Sequence, residues 1–167
     1  MRNPVARGQG MRGFTLLEMM ITVVVLVIVV TVAVPAFDGF VANQRVKSAA
    51  QGLMTSFSYA RSEAIRRNED VDVRMLQDGG DWVWGVCTED AAEVPEDCLR
   101  VVRTGRVQVA GESPGPVTFD PQGRPDGGGT NVTLCDADAS QAVSRRVVFV
   151  GITGSSRIDV GEGGCPE

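Results

Sequence analysis

The sequence contains no histidine, the side chain most often used for general acid–base catalysis and for metal binding. It also has no Walker phosphate-binding loop and no C-x-x-C pair. Four cysteines that lack both a histidine and a close cysteine partner favour disulfides over a tetrahedral zinc site. We therefore expect a protein that is not an enzyme and that has no metal and no cofactor.

Acidic residues are missing from the first 13 residues, which carry Arg2, Arg7 and Arg12. An almost wholly apolar run of 21 residues follows, from Phe14 to Val34. At a helical rise of ~1.5 Å per residue, this run is long enough to cross a hydrocarbon core of ~30 Å. Because basic residues flanking a span stay in the cytoplasm, the sequence predicts one membrane span over 14–34 with the rest of the chain outside.

One ionisable side chain, Glu18, lies within the apolar run. Burying it in lipid would cost roughly 2.5–3.5 kcal/mol at the bilayer centre, so the carboxylate needs a partner. A cut after Gly13 would create an α-amine on Phe14, one helical turn away from Glu18. An ordinary secretory signal cut near Val34-Pro35-Ala36 and a plain membrane anchor are the alternatives, and neither accounts for a glutamate at this depth.

The basic leader, Gly13 and the segment Phe14-Thr15-Leu16-Leu17-Glu18 resemble the class III signal of type IV pilins and type II secretion pseudopilins. The resemblance implies that a prepilin peptidase cuts after Gly13 and N-methylates Phe14. It also implies that Glu18 reaches the Phe14 amine of a neighbouring subunit during filament assembly, which makes other pilin or pseudopilin subunits partners. The expected location is the bacterial inner membrane, with the head in the periplasm, and then the pilus or pseudopilus.

Beyond the span, apolar residues recur at spacings of three and four, which predicts that the helix continues to about Asn68. The members of this stripe are Ala42, Val46, Ala50, Leu53, Phe57, Ala60 and Ala64. From Val71 the apolar period changes to two, and Asp78-Gly79-Gly80-Asp81 predicts a turn between the strands of a β-hairpin, Val71–Met75 and Trp82–Val86. Further predicted strands are Leu99–Thr104, Val107–Ala110, Val117–Phe119, Asn131–Leu134, Arg146–Val150 and Arg157–Val160.

These patterns predict an α+β, pilin-like fold: a long N-terminal helix, membrane-spanning in its first half, packed on a mainly antiparallel β-sheet head. The expected organisation is a leader over 1–13, the helix over 14–68 and the head over 69–167. Three segments of the head, Val117–Arg124, Asn131–Cys135 and Arg146–Arg157, resemble the GspH/FimT/FimU branch of the family. In the first of them we expect Phe119 to point inward and residues 120–123 to form the turn of a hairpin.

The four cysteines all lie beyond the span, on the side of the membrane that the predicted topology places in an oxidising compartment. Four cysteines permit three connectivities. We favour Cys87 with Cys98, which closes a short acidic segment, and Cys135 with Cys165, which ties down a glycine-rich tail.

The arginines Arg145, Arg146 and Arg157 are candidates for DNA binding, and the alternative is a set of scattered solvated strand residues. Removing residues 1–13 takes away three arginines and no acid, so the net charge moves from −5 to −8 and disfavours indiscriminate DNA binding. In the FimT subgroup a C-terminal Gly-Arg-x-Arg pattern accompanies DNA uptake. Here Gly154-Ser155-Ser156-Arg157 lacks the first arginine, so any DNA binding is expected to be weak and salt-sensitive.

The function predicted from these features is that of a minor pilin of a type IV pilus that primes or supports filament assembly. The alternatives are a minor pseudopilin of a type II secretion system and a DNA-receptor subunit of a transformation pilus.

Overall fold

The computed structural model describes residues 13–79, 81–88, 90, 97–110, 115–137 and 144–161, apart from the side chains of residues 35, 36 and 77. The chain divides into two compact units at residues 37 and 38. Helix α1 runs from Leu16 to Arg67.

In the N-terminal unit, every side chain from residue 13 to residue 34 is exposed. The helix here is long and apolar enough to cross a membrane. Its two threonines satisfy their hydroxyls locally, because Thr22 donates to the carbonyl of Met19 and Thr31 to that of Ile28, both at 2.8 Å. Such local hydrogen bonds lower the cost of placing a hydroxyl in lipid.

In the C-terminal unit, the remainder of α1 buries the predicted stripe completely, from Ala42 to Ala64. The opposite face of this part of the helix carries polar residues such as Gln44 and Ser62, and it is exposed. The helix ends at Arg67 because Asn68 adopts a left-handed conformation with φ 56°, and the N–H of Glu69 donates to the carbonyl of Ala64 at 3.4 Å. The predicted end near Asn68 is confirmed.

Among the residues that the structure describes, eight strands follow the helix, and all of the predicted strands are present with shifts of at most a few residues at their ends. Their bounds are β1 Val71–Asp78, β2 Asp81–Thr88, β3 Arg100–Arg103, β4 Val107–Ala110, β5 Val117–Phe119, β6 Thr130–Asp136, β7 Arg145–Val150 and β8 Ser156–Gly161.

The strands form two antiparallel four-stranded sheets, with strand orders β3-β2-β1-β5 and β4-β6-β7-β8. The hairpin of β1 and β2 closes with Asp78 opposite Asp81, as predicted. The hairpin predicted around residues 120–123 is only partly right. The turn forms and Phe119 bridges Pro125, but β5 pairs with β1, and the next strand, β6, belongs to the other sheet.

Both sheets contribute their apolar faces to one core against the stripe of α1. The largest fully buried side chains come from all three layers, among them Phe57 of α1, Trp84 and Phe119 of the first sheet, and Leu134 of the second. The rings of Phe57 and Phe119 lie 6.3 Å apart between centroids. Each such side chain stabilises the fold by roughly 1.5–3 kcal/mol through burial, so the core fixes the helix on the sheets.

Candidate functional site

The start of α1 is fixed by Thr15, which is the N-cap residue of the helix. The hydroxyl oxygen of Thr15 accepts a hydrogen bond from the backbone N–H of Glu18 at 3.2 Å. The first helical hydrogen bond runs from the N–H of Met19 to the carbonyl of Thr15, also at 3.2 Å. A threonine with a glutamate three residues later is the sequence signature of a capping box, so the local sequence explains why the helix begins at Leu16.

This cap leaves the Gly13–Phe14 peptide bond outside the helix. Phe14 is 76% exposed, and a Cβ built on Gly13 would meet no atom within 4 Å. A peptide bond in this setting is accessible to a peptidase. Within the described part of the chain, no residue donates a hydrogen bond or an ion pair to the Glu18 carboxylate, which is therefore available to a group from another molecule.

The predicted disulfide between Cys87 and Cys98 is present. It joins Cys87 in β2 to Cys98, which lies just before β3. The Cys87 side chain is fully buried. Gly85 makes room for it, because a Cβ at Gly85 would lie 2.9 Å from the sulfur of Cys98 and 3.1 Å from that of Cys87.

The second predicted disulfide includes Cys165, which lies outside the described residues. Cys135 is buried in β6 and is disulfide-bonded. We expect non-reducing peptide mapping of the exported protein to recover Cys87 joined to Cys98 and Cys135 joined to Cys165, with a reduced sample as the control. A disulfide-linked peptide pair that joins Cys87 or Cys98 to Cys135 or Cys165 would contradict this connectivity, and so would a free thiol.

The three arginines predicted as a DNA-binding group do not lie on one face. Arg145 and Arg146 are adjacent in β7, so their side chains point to opposite sides of the sheet. Arg146 shares its side with the buried residues Val148 and Val150, and its Nη1 atom is buried without a hydrogen-bond partner among the described residues.

Arg157 lies on the same side of the sheet as Arg145 but at the other end of β7. It pairs in register with Phe149, whereas Arg145 pairs with Gly161, so the two arginines are separated by roughly 13 Å along the strands. The Arg157 guanidinium stacks 4.5 Å from the centroid of Phe149, and its Nε atom lies 3.4 Å from a carboxylate oxygen of Asp159. The structure therefore provides no single patch of these arginines for phosphates, and DNA binding stays a prediction.

The glycine of the segment that resembles the DNA-uptake pattern has a structural role instead. Gly154 is buried with φ +74°, and a Cβ there would lie 2.2 Å from the carbonyl oxygen of Gly123. The Arg61 side chain of α1 lies against both glycines, since Cβ atoms on Gly123 and Gly154 would approach it to 3.0 Å and 3.2 Å. We call this contact of Arg61, Gly123 and Gly154 the arginine–glycine junction.

The turn that presents Gly123 to the junction is held by Asp120. The carboxylate of Asp120 accepts hydrogen bonds from the backbone N–H groups of Gln122 at 3.0 Å and Arg124 at 2.8 Å. The Arg124 N–H, aided by the Arg124 side chain, lowers the pKa of Asp120 below its ordinary value. This contribution to stability is therefore complete above the ordinary pKa and is lost as the pH falls through the lowered one.

A groove of about 480 Å³ lies in the C-terminal unit between α1 and the end of β3. Its helical wall runs from Phe40 to Gly52 and carries Arg45, and its other wall includes Val102 and Arg103. Sequence analysis missed both this groove and the arginine–glycine junction. The Thr15 cap was also missed, although the threonine–glutamate spacing was a sufficient signal for it.

Two family profiles match the chain. The profile described as type II transport protein GspH matches residues 49–153, and the profile described as the prokaryotic N-terminal methylation motif matches residues 9–34. The curated type II secretion system protein H of Xanthomonas campestris pv. campestris is 29% identical over 135 residues, covering 80% of this chain and 78% of that protein.

Crystal structures of the type IV minor pilin FimU of Pseudomonas aeruginosa resemble the fold. One superimposes with a TM-score of 0.54 at 20% identity, and the match covers 77% of this chain and 97% of the chain in that crystal structure. A second crystal form gives a TM-score of 0.51 at 22% identity and covers 72% of this chain and 97% of FimU.

Proposed function

Because the chain belongs to the GspH family of type II transport proteins, we propose that it is a minor subunit of a pilin-like filament that assembles from the bacterial inner membrane. Its role in this proposal is structural, and its partners are other pilin or pseudopilin subunits and the prepilin peptidase. The head lies in the periplasm before the subunit enters the filament.

The observation that carries the proposal is the N-terminal segment itself. All of its side chains from residue 14 to residue 34 are exposed, so lipid or neighbouring subunits must cover a large apolar surface. The Thr15 cap keeps the Gly13–Phe14 bond outside the helix, where a peptidase can reach it. The Glu18 carboxylate lies three residues into this helix, where the methylated amine of a neighbouring Phe14 would pair with it.

Two filaments are candidates. A type IV pilus is supported by the FimT/FimU-like segments of the head and by its disulfide. A type II secretion pseudopilus is supported by the sequence relationship to protein H of Xanthomonas, which extends over most of both chains. This second support is the stronger, because the likeness to FimU at 20% identity concerns the fold alone.

The two candidates are separated by deleting the gene and measuring two outputs in the same cells. Loss of pilin from the sheared surface fraction, with secretion intact, supports a pilus subunit. Loss of exported enzymes from the medium, with surface pilin intact, supports a pseudopilin. Complementation with the intact gene is the control, and a mutant that is normal in both outputs would contradict a filament role.

We expect the mature protein to begin with N-methylated Phe14. Replacing Gly13 with leucine should block the cut almost completely. Because the new leucine side chain has no neighbouring atom in this chain to clash with, its effect should come only from recognition by the peptidase. N-terminal mass spectrometry of the membrane fraction measures both outcomes. Gly10→Leu is the control, since it changes another glycine of the leader. A mature chain beginning at Phe37, as an ordinary signal peptidase would leave, would show that the proposal is wrong.

A further inference from the structure

The groove between α1 and β3 exposes apolar surface in the C-terminal unit. This surface is separate from the predicted membrane span. Phe40 is 60% exposed and Val41 is 37% exposed at this groove, although both lie on the part of α1 that packs on the head. Exposed apolar side chains gathered around a concavity are typical of a site that binds another molecule.

Gly52 forms part of the groove wall, and the packing of this chain does not require a glycine there. A Cβ at Gly52 would lie 3.4 Å from a methyl group of Val102 and 4.0 Å from Nε1 of Trp84, which are ordinary contact distances. Glycine is nevertheless the least favourable residue after proline in a helix interior. A glycine at this position allows the backbone of an occupant to approach the helix closely.

Trp84 provides a second and independent observation. Its side chain is fully buried, and its indole N–H has no hydrogen-bond partner among the residues that the structure describes. The Nε1 atom lies 4.0 Å from the position of a Cβ on Gly52, and Trp84 pairs in register with Val102; both Gly52 and Val102 line the groove. Buried indole N–H groups usually have an acceptor, and this one, which does not itself line the groove, lies close enough to the groove wall to report an occupant.

The charges around the groove indicate the sign of the occupant. Arg45 lies on the helical wall and Arg103 on the strand wall, whereas the mature chain as a whole carries a net charge of −8. The Arg103 side chain is 68% exposed, and its contact with Asp78 is long, at 3.5 Å between nitrogen and oxygen. Both guanidinium groups therefore favour a negatively charged occupant.

We infer that the groove binds an acidic peptide segment of a partner protein, with an apolar side chain between Phe40 and Val102 and its carboxylates near Arg45 and Arg103. The strand wall suits an extended peptide, because β3 is the outermost strand of its sheet in the strand order. This inference holds for either candidate filament and does not rest on the proposed function.

The test uses the mature full-length protein in detergent micelles. Short fluorescent peptides with acidic ends and a randomised apolar centre are titrated, and matched peptides with lysine ends serve as the comparison. We expect the acidic pool alone to bind. The indole N–H signal of Trp84, assigned by its loss in Trp84→Phe, should shift in the ¹⁵N spectrum as the peptide saturates.

Two matched pairs of variants locate the binding surface. Gly52→Leu should fill the groove and weaken binding by roughly tenfold or more, whereas Gln51→Leu, on the exposed face beside it, should not. Arg45→Glu should weaken binding by about tenfold, whereas Lys47→Glu, on the same helix but outside the groove, should leave it within about threefold. Gly52→Ala checks folding, because it should keep or raise the Tm.

Binding of the acidic pool that follows this pattern supports the inference. Absence of binding, or equal binding by all of the variants, would overturn it. Two other outcomes would overturn the choice of occupant. If the protein self-associates and Gly52→Leu abolishes this self-association, the groove is assigned to a second copy of this chain. A Trp84 shift produced by anionic phospholipid in the micelle, without peptide, would assign it to a lipid headgroup.

Discussion

Replacing Gly154 with alanine is expected to lower the free energy of unfolding by about 2–4 kcal/mol, a large part of the 5–15 kcal/mol typical of a domain. The left-handed backbone at φ +74° accounts for part of the loss, and the approach of the new methyl group to the Gly123 carbonyl oxygen, at 2.2 Å, accounts for the rest. Thermal unfolding followed by circular dichroism should show a Tm lower by roughly 5–15 °C.

Gly127→Ala is the matched control for this prediction. Gly127 has a nearly identical φ of +76°, but a Cβ there would meet no atom within 4 Å. It should therefore show only the backbone part of the loss, about 1–2 kcal/mol. Equal destabilisation by the two variants would mean that the arginine–glycine junction contributes nothing, and Gly154 would again be open to a role in ligand binding.

The second large effect concerns Glu18. We expect Glu18→Val to insert into the membrane and to be cut normally, because it removes a charge from the apolar segment and keeps the backbone N–H that Thr15 caps. Incorporation into filaments should fall by roughly tenfold or more, since losing one partner of a buried ion pair costs about 3–5 kcal/mol. The ratio of subunit in the purified filament to subunit in the membrane, measured by immunoblot, gives the effect.

Thr22→Val is the control for Glu18→Val. It also replaces a polar residue of the apolar segment with valine. The hydroxyl that it removes forms its hydrogen bond within the chain, to the carbonyl of Met19. Incorporation of this variant should remain close to that of the unmodified protein. If Glu18→Val also assembles normally, the pairing of Glu18 with a neighbouring amine is wrong.

Most secondary structure of this protein could be predicted from its sequence because each element carries a strong local period. The apolar stripe from Ala42 to Ala64 repeats every three or four residues. In the strands, apolar residues recur at every second position, and turns rich in glycine and aspartate lie between the strands. The arrangement of strands in two sheets could not be predicted in this way. Phe119 and the turn at 120–123 suggest a local hairpin, but strand partners are chosen by the burial of distant surfaces, here against β1.

The site residues also separate into those with a local sequence signal and those whose position depends on distant packing. Gly13, Phe14 and Glu18 could be identified because an isolated acid in an apolar run and a basic leader are local signals. The separation of Arg145 and Arg157 depends on the register between β7 and β8, and the face of Arg146 depends on the same pairing. The groove beside Gly52 depends on how α1 and β3 pack, which no local pattern encodes.

The arginine–glycine junction also makes three distant positions genetically dependent on one another. A side chain at Gly123 would meet the flexible end of Ile65, at 2.7 Å, and the Cγ atom of Arg61, at 3.0 Å. A side chain at Gly154 would meet a backbone oxygen first, at 2.2 Å, and Arg61 only at 3.2 Å. Shortening Ile65 and Arg61 together can therefore relieve the side-chain clashes of a substitution at Gly123, whereas no change in Arg61 relieves the backbone clash at Gly154. This epistasis lets Gly123 change together with the helix, at the remaining cost of its left-handed backbone at φ +73°, while Gly154 stays fixed as long as the backbone keeps its course.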